Sequence, residues 1–325
     1  YLGDQTGVYR AMDKLGSAGV SAIAAEAKVD ERYLKEWLAS NAARGYVSYD
    51  AEADKFSLTP EQASVFARES EPTCIQGLIQ GVVGQFVKED VAIDVFKTGR
   101  GRPWGEHHEC CFCGTERFFR PAYAGHLLDE WIPALDGVED KLKLGAKVAD
   151  IGCGLGTSSI LMAEQFPNST IHAFDFHGPS IEEAKKRANE KGLSNLEFFV
   201  SDAGEIPKND YDLACIFDAW HDMGDPVGIA ASIKETLSKD GTFMVVEPMA
   251  LDGYANNIAN NPASAMMYGF GTLVCVPASK AQSVGLGLGP QAGPSKLMEL
   301  LSEAGFGNVN LAAETTNNLV LQARG

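Results

Sequence analysis

The sequence has few basic residues and no long apolar run, and each shortage argues against a class of partner. Lys and Arg number 27 against 44 Asp and Glu, which gives a formal net charge of -17 at pH 7. A field of this sign repels the phosphates of nucleic acids and anionic membrane surfaces, so we expect neither as a partner. No stretch approaches the roughly 18 consecutive apolar residues that a membrane-spanning helix requires.

The sequence also shows no secretory signal peptide, and its seven cysteines are an odd number that cannot all pair with one another. We therefore expect free thiols and a reduced, cytoplasmic compartment. Because the first residue is Tyr1 rather than Met, we also expect that some upstream sequence is missing. The length of 325 residues predicts two domains.

Residues 1–70 follow the order helix, helix, helix, hairpin, which is typical of a winged helix-turn-helix domain. Asp30 is a suitable N-cap for the third helix, and Gly45 stands where a C-cap glycine belongs. The region carries eight Lys and Arg against eleven Asp and Glu, a net of -3, whereas a DNA-binding domain needs a basic face. We therefore favour dimerisation or substrate covering over DNA binding. The predicted elements are helices Leu2–Leu15, Ala22–Ala27 and Glu31–Ala43 and hairpin strands Tyr46–Tyr49 and Lys55–Leu58.

Residues 71–135 are predicted to form a helical linker that includes an active-site loop. Apolar residues recur at helical spacing through 72–97 and predict one long helix. A loop is expected over Thr98–Thr115, followed by a helix over Glu116–Leu135. Within the loop, residues 107–113 read His-His-Glu-Cys-Cys-Phe-Cys.

The cysteines and histidines of the 107–113 segment are ligands that zinc and other soft metals prefer. No second ligand pair at zinc-finger spacing appears elsewhere, so we predict no metal. We favour an active-site loop in which His107, His108 or Glu109 faces a substrate. A packed surface loop is the simpler alternative.

From residue 136 to 325 the pattern alternates between strands and helices. Near-continuous apolar strands separated by helices predict a parallel sheet covered on both faces, in a Rossmann-like α/β domain. The stretch 249–294 interrupts the alternation and is interpreted as an insertion over the active face. Tyr268 in this insertion is a candidate pocket residue, although core packing is the default explanation for it. The predicted strands are Lys147–Ile151, Thr170–Asp175, Leu196–Val200, Asp212–Phe217, Thr242–Glu247, Val309–Ala313 and Leu319–Ala323.

A glycine-rich turn after the first of these strands is the most informative motif. The strand leads into Asp150, and Gly152, Gly154 and Gly156 follow at every second position before a helix begins at Thr157. Glycine lets the backbone turn sharply and approach a ligand closely. The turn differs from a dinucleotide fingerprint because its third glycine comes one residue early. Asp150 would repel a pyrophosphate but tolerates the cationic amine and sulfonium of S-adenosylmethionine.

Acidic residues follow the next strands at the places where a nucleoside needs them. Asp175 ends the second strand, 19 positions after Gly156, and is suited to accept hydrogen bonds from ribose hydroxyls. Asp202 and Ala203 follow the third strand, where a carboxylate can accept a hydrogen bond from an adenine amine. Asp218 ends the fourth strand. Ligands of α/β sheets bind at such strand ends, so we predict a cofactor site there.

These motifs resemble the class I S-adenosylmethionine-dependent methyltransferases. The whole chain is similar, more narrowly, to mycobacterial and actinobacterial methyltransferases with an N-terminal winged-helix domain. The resemblance implies a seven-stranded sheet whose last strand is antiparallel, a homodimer and a small-molecule acceptor. The segments that carry it are GEHHECCFCGTERFFRP, VADIGCGLGTSS, FDAWHDMGDP and VVEP.

Methyl transfer requires an aligned acceptor and usually a base that removes its proton. The candidate base is His221, just past the fourth strand, because an imidazole titrates near neutral pH. The surrounding segment is similar to small-molecule O-methyltransferases of the plant type, which place a catalytic His before an Asp here and use a Glu after the fifth strand. Glu247 matches that position, 26 residues past His221. Their second Glu has no counterpart in residues 292–296. The simpler alternatives are a helix-entry role for His221 and a strand-end role for Glu247.

We expect methyl transfer from S-adenosylmethionine, with S-adenosylhomocysteine as product, to an oxygen or sulfur of a small, partly apolar molecule. Residues 1–70 and the insertion 249–294 would close over this molecule. One alternative is a ligand-sensing, DNA-binding regulator. Another is a metal- or metalloid-binding protein that uses the 107–113 segment.

Overall fold

The computed structural model describes all 325 residues, Tyr1–Gly325. The chain divides into two compact units. The first unit comprises Tyr1–Val87 and His108–Pro121, and the second comprises Lys88–His107 and Ala122–Gly325. The predicted division at residues 70 and 135 stays a prediction. None of the helices combines the length with the apolar character that crossing a membrane requires.

The first unit begins with the predicted winged-helix domain. Its short hairpin consists of strands β1 (Ser48–Asp50) and β2 (Lys55–Ser57), which pair antiparallel. Asp30 caps the third predicted helix, because its carboxylate accepts hydrogen bonds from the backbone N–H groups of Arg32 (2.9 Å) and Tyr33 (3.1 Å). The helices are Leu2–Gln5, Val8–Leu15, Val20–Ala27, Glu31–Ala43, Pro60–Phe66 and Gln76–Phe86, together with the first part of Glu109–His126.

The first predicted helix is in fact two helices, because Gly7 separates them with a φ of 73°. Val8 and Met12 on the second of these two helices pack with Leu38 and Phe56 in the core of the domain. The buried apolar positions therefore agree with the pattern that predicted the fold, although the helix boundary does not.

The predicted single helix over 72–97 is wrong, because the chain forms the helices Gln76–Phe86 and Glu89–Thr98. The first helix buries glycine and glutamine residues rather than its apolar ones. A Cβ at Gly77 would lie 2.5 Å from the backbone nitrogen of Phe118, and a Cβ at Gly84 would lie 2.9 Å from that of Cys111. Two helix backbones thus meet through glycine, and this contact orients the helix.

The loop predicted over Thr98–Thr115 is also only partly correct. A short turn of 3-10 helix spans Trp104–Glu106, and a regular helix begins at Glu109 rather than at Glu116. This helix runs to His126 and contains Pro121. Three residues of the 107–113 segment that was expected to be loop, Cys110, Cys111 and Phe112, are therefore buried or half-buried helical positions.

The second unit is built on one seven-stranded sheet with the order β5-β4-β3-β6-β7-β9-β8. Strands β3 to β7 pair in parallel, and β9 pairs antiparallel with both β7 and β8. The antiparallel last strand confirms the expected Rossmann-like methyltransferase fold. The strands are β3 Lys147–Ile151, β4 Thr170–Asp175, β5 Leu196–Val200, β6 Tyr211–Phe217, β7 Leu237–Pro248, β8 Asn308–Glu314 and β9 Asn318–Arg324.

Helices cover this sheet and separate most of its strands. The strand order reverses at β3, and α/β sheets bind ligands outside the carboxyl ends of the strands at such a point. The predicted insertion 249–294 contains three short helices and a turn of π-helix. The helices of the unit are Glu89–Thr98, Val138–Leu144, Thr157–Gln165, Gly178–Glu190, Pro226–Lys234, Tyr254–Asn260, Ser264–Phe270, Val276–Lys280 and Pro294–Glu303, with π-helical turns at Leu127–Trp131 and Gly271–Cys275.

Candidate functional site

The glycine-rich turn after β3 adopts a conformation that favours glycine at all three positions. Gly152, Gly154 and Gly156 have φ values of 71°, 53° and 79°. The backbone N–H groups of Gly152 and Cys153 donate to the carbonyl oxygen of Phe174 in β4, at 2.8 and 3.0 Å. These bonds fix the turn at the end of two neighbouring strands.

The three glycines meet different surroundings. A Cβ at Gly156 would lie 2.9 Å from the ring of Phe198, so tight packing requires glycine there. A Cβ at Gly154 would meet nothing within 4 Å. The positive φ of Gly154 is therefore the reason that glycine is favoured there, since no neighbouring protein atom would contact a side chain. The space beside Gly154 is open to a ligand.

Asp150 lies fully buried at the end of β3. Its Oδ2 accepts hydrogen bonds from the hydroxyls of Ser158 (2.7 Å) and Ser159 (2.5 Å) in the following helix. Its Oδ1 is buried and accepts no hydrogen bond. Burial raises the pKa of Asp150 to about 6, even though the serine hydroxyls oppose the shift. A buried carboxylate with one oxygen lacking a hydrogen bond would be stabilised by a nearby cationic group.

Asp175 at the end of β4 holds the glycine turn from the side. Its Oδ2 accepts from the N–H of Gly154 at 2.9 Å, and its Oδ1 accepts from the N–H of His177 at 2.8 Å. Burial raises the pKa of this carboxyl group. Each carboxylate oxygen can accept more than one hydrogen bond, so both retain capacity for a ligand hydroxyl.

Asp202 and Ala203 form the start of a 3-10 turn after β5. Asp202 is exposed, and its Oδ1 accepts from the N–H of Gly204 at 2.9 Å. Ala203 is half-buried against the core of the sheet. Their predicted contact with adenine stays a prediction.

Asp218 follows β6 in a left-handed conformation with a φ of 49°, which non-glycine residues seldom adopt. Its carboxylate accepts hydrogen bonds from the hydroxyl of Tyr123 and from the amide of Asn318, both at 2.8 Å. Burial raises the pKa of Asp218 well above its usual value, and the nearby carboxylate of Glu247 adds to this shift. Backbone strain of this kind clusters at functional sites.

His221 and Glu247 are brought together as predicted for a base and its orienting carboxylate. His221 lies in a 3-10 turn after β6, Glu247 lies near the end of β7, and both side chains are buried. The imidazole Nδ1 is 2.5 Å from Oε2 of Glu247. The other oxygen, Oε1, accepts from the backbone N–H groups of Trp220 (3.0 Å) and His221 (3.3 Å).

Two further residues next to His221 were missed by the sequence analysis. The Oδ1 of Asp222 is 3.1 Å from Nε2 of His221, and the thiol of Cys275 reaches the same place from the π-helical turn in the insertion. Burial alone would lower the pKa of His221, but the carboxylates of Glu247 and Asp222 raise it well above its usual value. Burial also raises the pKa of Cys275 to about 12.

Of the predicted substrate contacts in the 107–113 segment, His107 belongs to the second unit. It is buried, and burial lowers its pKa to about 4, assisted by the guanidinium of Arg102 and opposed by the carboxylate of Asp222. His107 is thus a neutral imidazole near the acidic neighbour of His221. Arg102 is itself fully buried.

His108 and Glu109 belong to the first unit. The Nδ1 of His108 accepts a hydrogen bond from the N–H of Cys110 at 3.2 Å and so caps the helix that begins at Glu109. Glu109 is exposed. The role of these two residues toward a substrate stays a prediction.

Tyr268 lines a cavity of about 330 Å³ in the second unit. The cavity is mainly apolar and also contains Gly289, whose N–H donates to the carbonyl oxygen of His221 at 3.4 Å. One residue of the cavity wall is therefore hydrogen-bonded to the backbone of His221, the candidate base. Other lining residues are Val95, Phe96, Val276, Leu288 and Pro290.

The charge of the sheet edge fits S-adenosylmethionine better than a phosphate-bearing cofactor. Asp175, Asp150 and Asp218 lie at the carboxyl ends of three adjacent strands, β4, β3 and β6 respectively. The unbonded Oδ1 of Asp150 and the open space at Gly154 lie at this same edge. Anionic pyrophosphate would face several carboxylates, whereas a cationic amine and sulfonium would gain from them.

Comparison with known protein families agrees with both parts of the chain. A family model described as "Methyltransferase domain" matches residues 142–305, and a model described as "Rv2258c-like winged HTH domain" matches residues 1–68. A sterol 24-C-methyltransferase, ERG6A from Gibberella zeae, is 31% identical over 172 residues. That match spans 52% of this chain but only 42% of the relative.

Solved structures of similar fold cover nearly the whole chain. Human N-acetylserotonin methyltransferase, in complex with SAM, aligns with a TM-score of 0.70 over 99% of this chain and 92% of its own, at 18% identity. The mitomycin 7-O-methyltransferase MmcR aligns with a TM-score of 0.67 over 100% of this chain and 92% of its own, also at 18% identity. At this identity the likeness demonstrates a shared fold.

Proposed function

The chain belongs to the methyltransferase-domain family, and we propose that it transfers a methyl group from S-adenosylmethionine to an oxygen or sulfur of a small molecule. The observation that carries this proposal is the buried pair of His221 and Glu247, 2.5 Å apart, beside the carboxylates that end β3, β4 and β6. The His221–Glu247 pair supports a proton-accepting role for His221. The pair lies at the acidic edge of the sheet, whose charge suits the cationic cofactor.

The cofactor would be held by Asp150, the glycine turn, Asp175, Asp202, Ala203 and Asp218. When bound, S-adenosylmethionine supplies an electrophilic methyl group on a sulfonium. The open space at Gly154 supports close approach of a ligand to the backbone. The N–H bonds that Asp175 accepts hold its carboxylate in place beside that turn.

His221 is proposed to remove the proton of the acceptor. In the neutral imidazole, Nδ1 keeps its proton toward Glu247 and Nε2 has the lone pair that accepts a proton. Because the neighbouring carboxylates raise the pKa of His221, this neutral form becomes more populated as the pH rises. Glu247 and Asp222 favour the imidazolium that forms on proton transfer. Glu247 acts through His221 and is therefore a positioning residue, which is fixed in turn by two backbone N–H groups.

The acceptor is proposed to be a small, partly apolar hydroxyl or thiol compound. The apolar cavity of about 330 Å³ with Tyr268 in its wall supports a molecule of this class. Relatives of similar fold include a methyltransferase for N-acetylserotonin and one for mitomycin, both by name enzymes of small molecules. His107, a buried neutral imidazole, is proposed as a further acceptor contact.

The direct test uses S-adenosylmethionine with a radiolabelled methyl group and a panel of small phenols, alcohols and thiols. We expect label to appear in at least one acceptor, and we expect His221→Ala to bind S-adenosylhomocysteine normally while transferring label about 10²–10⁴-fold more slowly. Normal turnover by the His221→Ala variant would contradict the assignment of the base.

We also propose a cytoplasmic homodimer that does not bind nucleic acid. The apolar residues Val82 and Phe86 are 39% and 71% exposed on the helix Gln76–Phe86 and support contact with another protein surface. The net charge of -17 argues against nucleic acid. Light scattering on the purified chain tests the dimer, and a single-chain mass would contradict it.

A further inference from the structure

The side chains of His221, Asp222 and Cys275 form a cluster that the proposed methyl transfer uses only in part. One ligand atom from each residue, Nε2 or Nδ1, a carboxylate oxygen and Sγ, lies within 4.8 Å of the other two. His221 and Cys275 are 3% and 8% exposed, so the cluster is an interior one. Residues that are far apart in sequence are brought together here by the insertion.

Two independent features of the cluster are those of a metal site. The Oδ1 of Asp222 is buried and lies 3.1 Å from Nε2 of His221, but no donor is aligned well with it. The Nδ1 of His221 is held by Glu247, which leaves Nε2 facing Asp222. A carboxylate that orients a histidine from its far nitrogen is the usual arrangement behind a metal-binding imidazole.

We propose that His221, Asp222 and Cys275 bind one thiophilic divalent cation such as Zn²⁺. Imidazole nitrogen, carboxylate oxygen and thiolate sulfur are the ligands that zinc combines. Bonds of about 2.0–2.3 Å place tetrahedral ligand atoms about 3.3–3.8 Å apart. His221 Nε2 and Asp222 Oδ1 are already 3.1 Å apart, so the main adjustment is an approach of the Cys275 thiol by at most about 1 Å. Three protein ligands leave one coordination position open.

The metal site is distinct from the one that the Cys110–Cys113 segment suggested. The thiol of Cys110 lies 3.6 Å from the hydroxyl of Tyr1, and that of Cys111 accepts from the amide of Gln85 at 3.4 Å. Cys113 is exposed. These cysteines lie in a helix and are engaged with other partners or with solvent, whereas Cys275 faces a histidine and a carboxylate.

Metal binding would go beyond the proposed function and does not depend on it. A cation on Nε2 would occupy the lone pair that proton transfer needs, so the metal-bound and proton-accepting forms of His221 exclude each other. The cation would therefore act on the chain as an inhibitor of base catalysis rather than as a cofactor.

The experiment is a titration of the metal-free, reduced full chain with Zn²⁺, followed by elemental analysis, for the wild type, Cys275→Ser and the matched control Cys113→Ser. We expect one Zn²⁺ per chain, affinity at least tenfold weaker in Cys275→Ser, and wild-type affinity in Cys113→Ser. Co²⁺ added to the wild type should give a thiolate-to-metal charge-transfer band that Cys275→Ser lacks.

Several results would overturn the metal site. They are the absence of stoichiometric Zn²⁺ from the wild type, equal affinity in Cys275→Ser, loss of affinity in Cys113→Ser, or Co²⁺ bound without a thiolate band. The Co²⁺ spectrum of the wild type keeps the test decisive if Cys275→Ser does not fold. Titration of S-adenosylhomocysteine into the same samples separates the two proposals, because failure there contradicts methyl transfer and not metal binding.

Discussion

The Nδ1 of His221 lies 2.5 Å from Oε2 of Glu247, and both side chains are buried between β6 and β7 and the insertion. The contact determines which imidazole nitrogen carries the proton in the neutral form. Glu247 reaches His221 because the parallel strands β6 and β7 are neighbours whose carboxyl ends meet at one edge of the sheet. The fold thus converts two distant sequence positions into one acid–base unit.

Replacement of Glu247 by Gln should move the proton of the neutral His221 imidazole from Nδ1 to Nε2. The Gln amide would donate to Nδ1, which places the proton of the neutral imidazole on Nε2 and removes its acceptor. We expect kcat for methyl transfer to fall by about 10²-fold or more, with KM for the acceptor little changed. Steady-state kinetics measure the split, and Glu314→Gln, at an exposed position near the end of β8, is the control. An unchanged kcat in Glu247→Gln would contradict the positioning role.

Replacement of Asp150 by Asn should stabilise the ligand-free protein at neutral pH. The folded-state pKa is raised to about 6 from the usual 3.8, so stability falls as the pH rises from 3.8 to about 6, and the full cost of burying the charge is present above that pH. We expect Asp150→Asn to add about 1–3 kcal/mol to the free energy of unfolding at pH 8 and little below pH 4.

The same Asp150→Asn variant should bind S-adenosylhomocysteine more weakly, because a cationic amine loses its counter-charge. Urea unfolding at the two pH values and calorimetry test both effects. A gain in stability that is equal at pH 8 and pH 4 would contradict the buried-charge explanation. Unchanged cofactor affinity would remove Asp150 from the cofactor site.

Alanine at Gly154 should weaken cofactor binding beyond its effect on stability. Gly154 and Gly192 both have positive φ values, 53° and 68°, and a Cβ at either meets no protein atom within 4 Å. Each Gly→Ala change should therefore cost a similar 1–2 kcal/mol or so of backbone strain. Only Gly154→Ala should also weaken binding of S-adenosylhomocysteine, by about tenfold or more. Equal binding by the two variants would show that no ligand approaches Gly154.

The winged-helix domain should not bind DNA. Its helix Glu31–Ala43 and the adjoining residues carry Arg32, Lys35 and Arg44 against Asp30, Glu31 and Glu36, which leaves no net positive charge for phosphates. We expect no gel shift of mixed-sequence duplex DNA, even at low salt where electrostatic binding is strongest. A shift that disappears as salt is raised would favour the regulator instead.

The sheet and its glycine turn could be predicted from the sequence because buried parallel strands are continuous apolar runs with clear ends. The strands Lys147–Ile151, Thr170–Asp175 and Leu196–Val200 have the predicted bounds. His221 and Glu247 were predicted on their positions after strands and on the resemblance, and the structure brings them together. Asp150, Asp175 and Asp218 lie at the carboxyl ends of neighbouring parallel strands, as their positions after predicted strands indicated.

Other features depend on tertiary contacts that the spacing of apolar residues in the sequence does not predict. The helix Gln76–Phe86 buries Gly77 and Gly84 against a second helix backbone, although apolar residues at helical spacing usually form the buried face. Cys275 lies near His221 because of the way the insertion folds, and no sequence motif marks it. A thiol near a histidine is a relationship in space, so only the structure reveals it.

The most direct test of the account is calorimetric titration of S-adenosylhomocysteine into the wild type and the Asp175→Ala variant. Asp175 holds the N–H of Gly154 and retains capacity for a ligand hydroxyl, so its loss removes both the turn's support and a contact. We predict micromolar or tighter binding to the wild type and none to Asp175→Ala, with thermal unfolding showing that the variant is folded. No binding to the wild type would contradict the proposed methyl transfer.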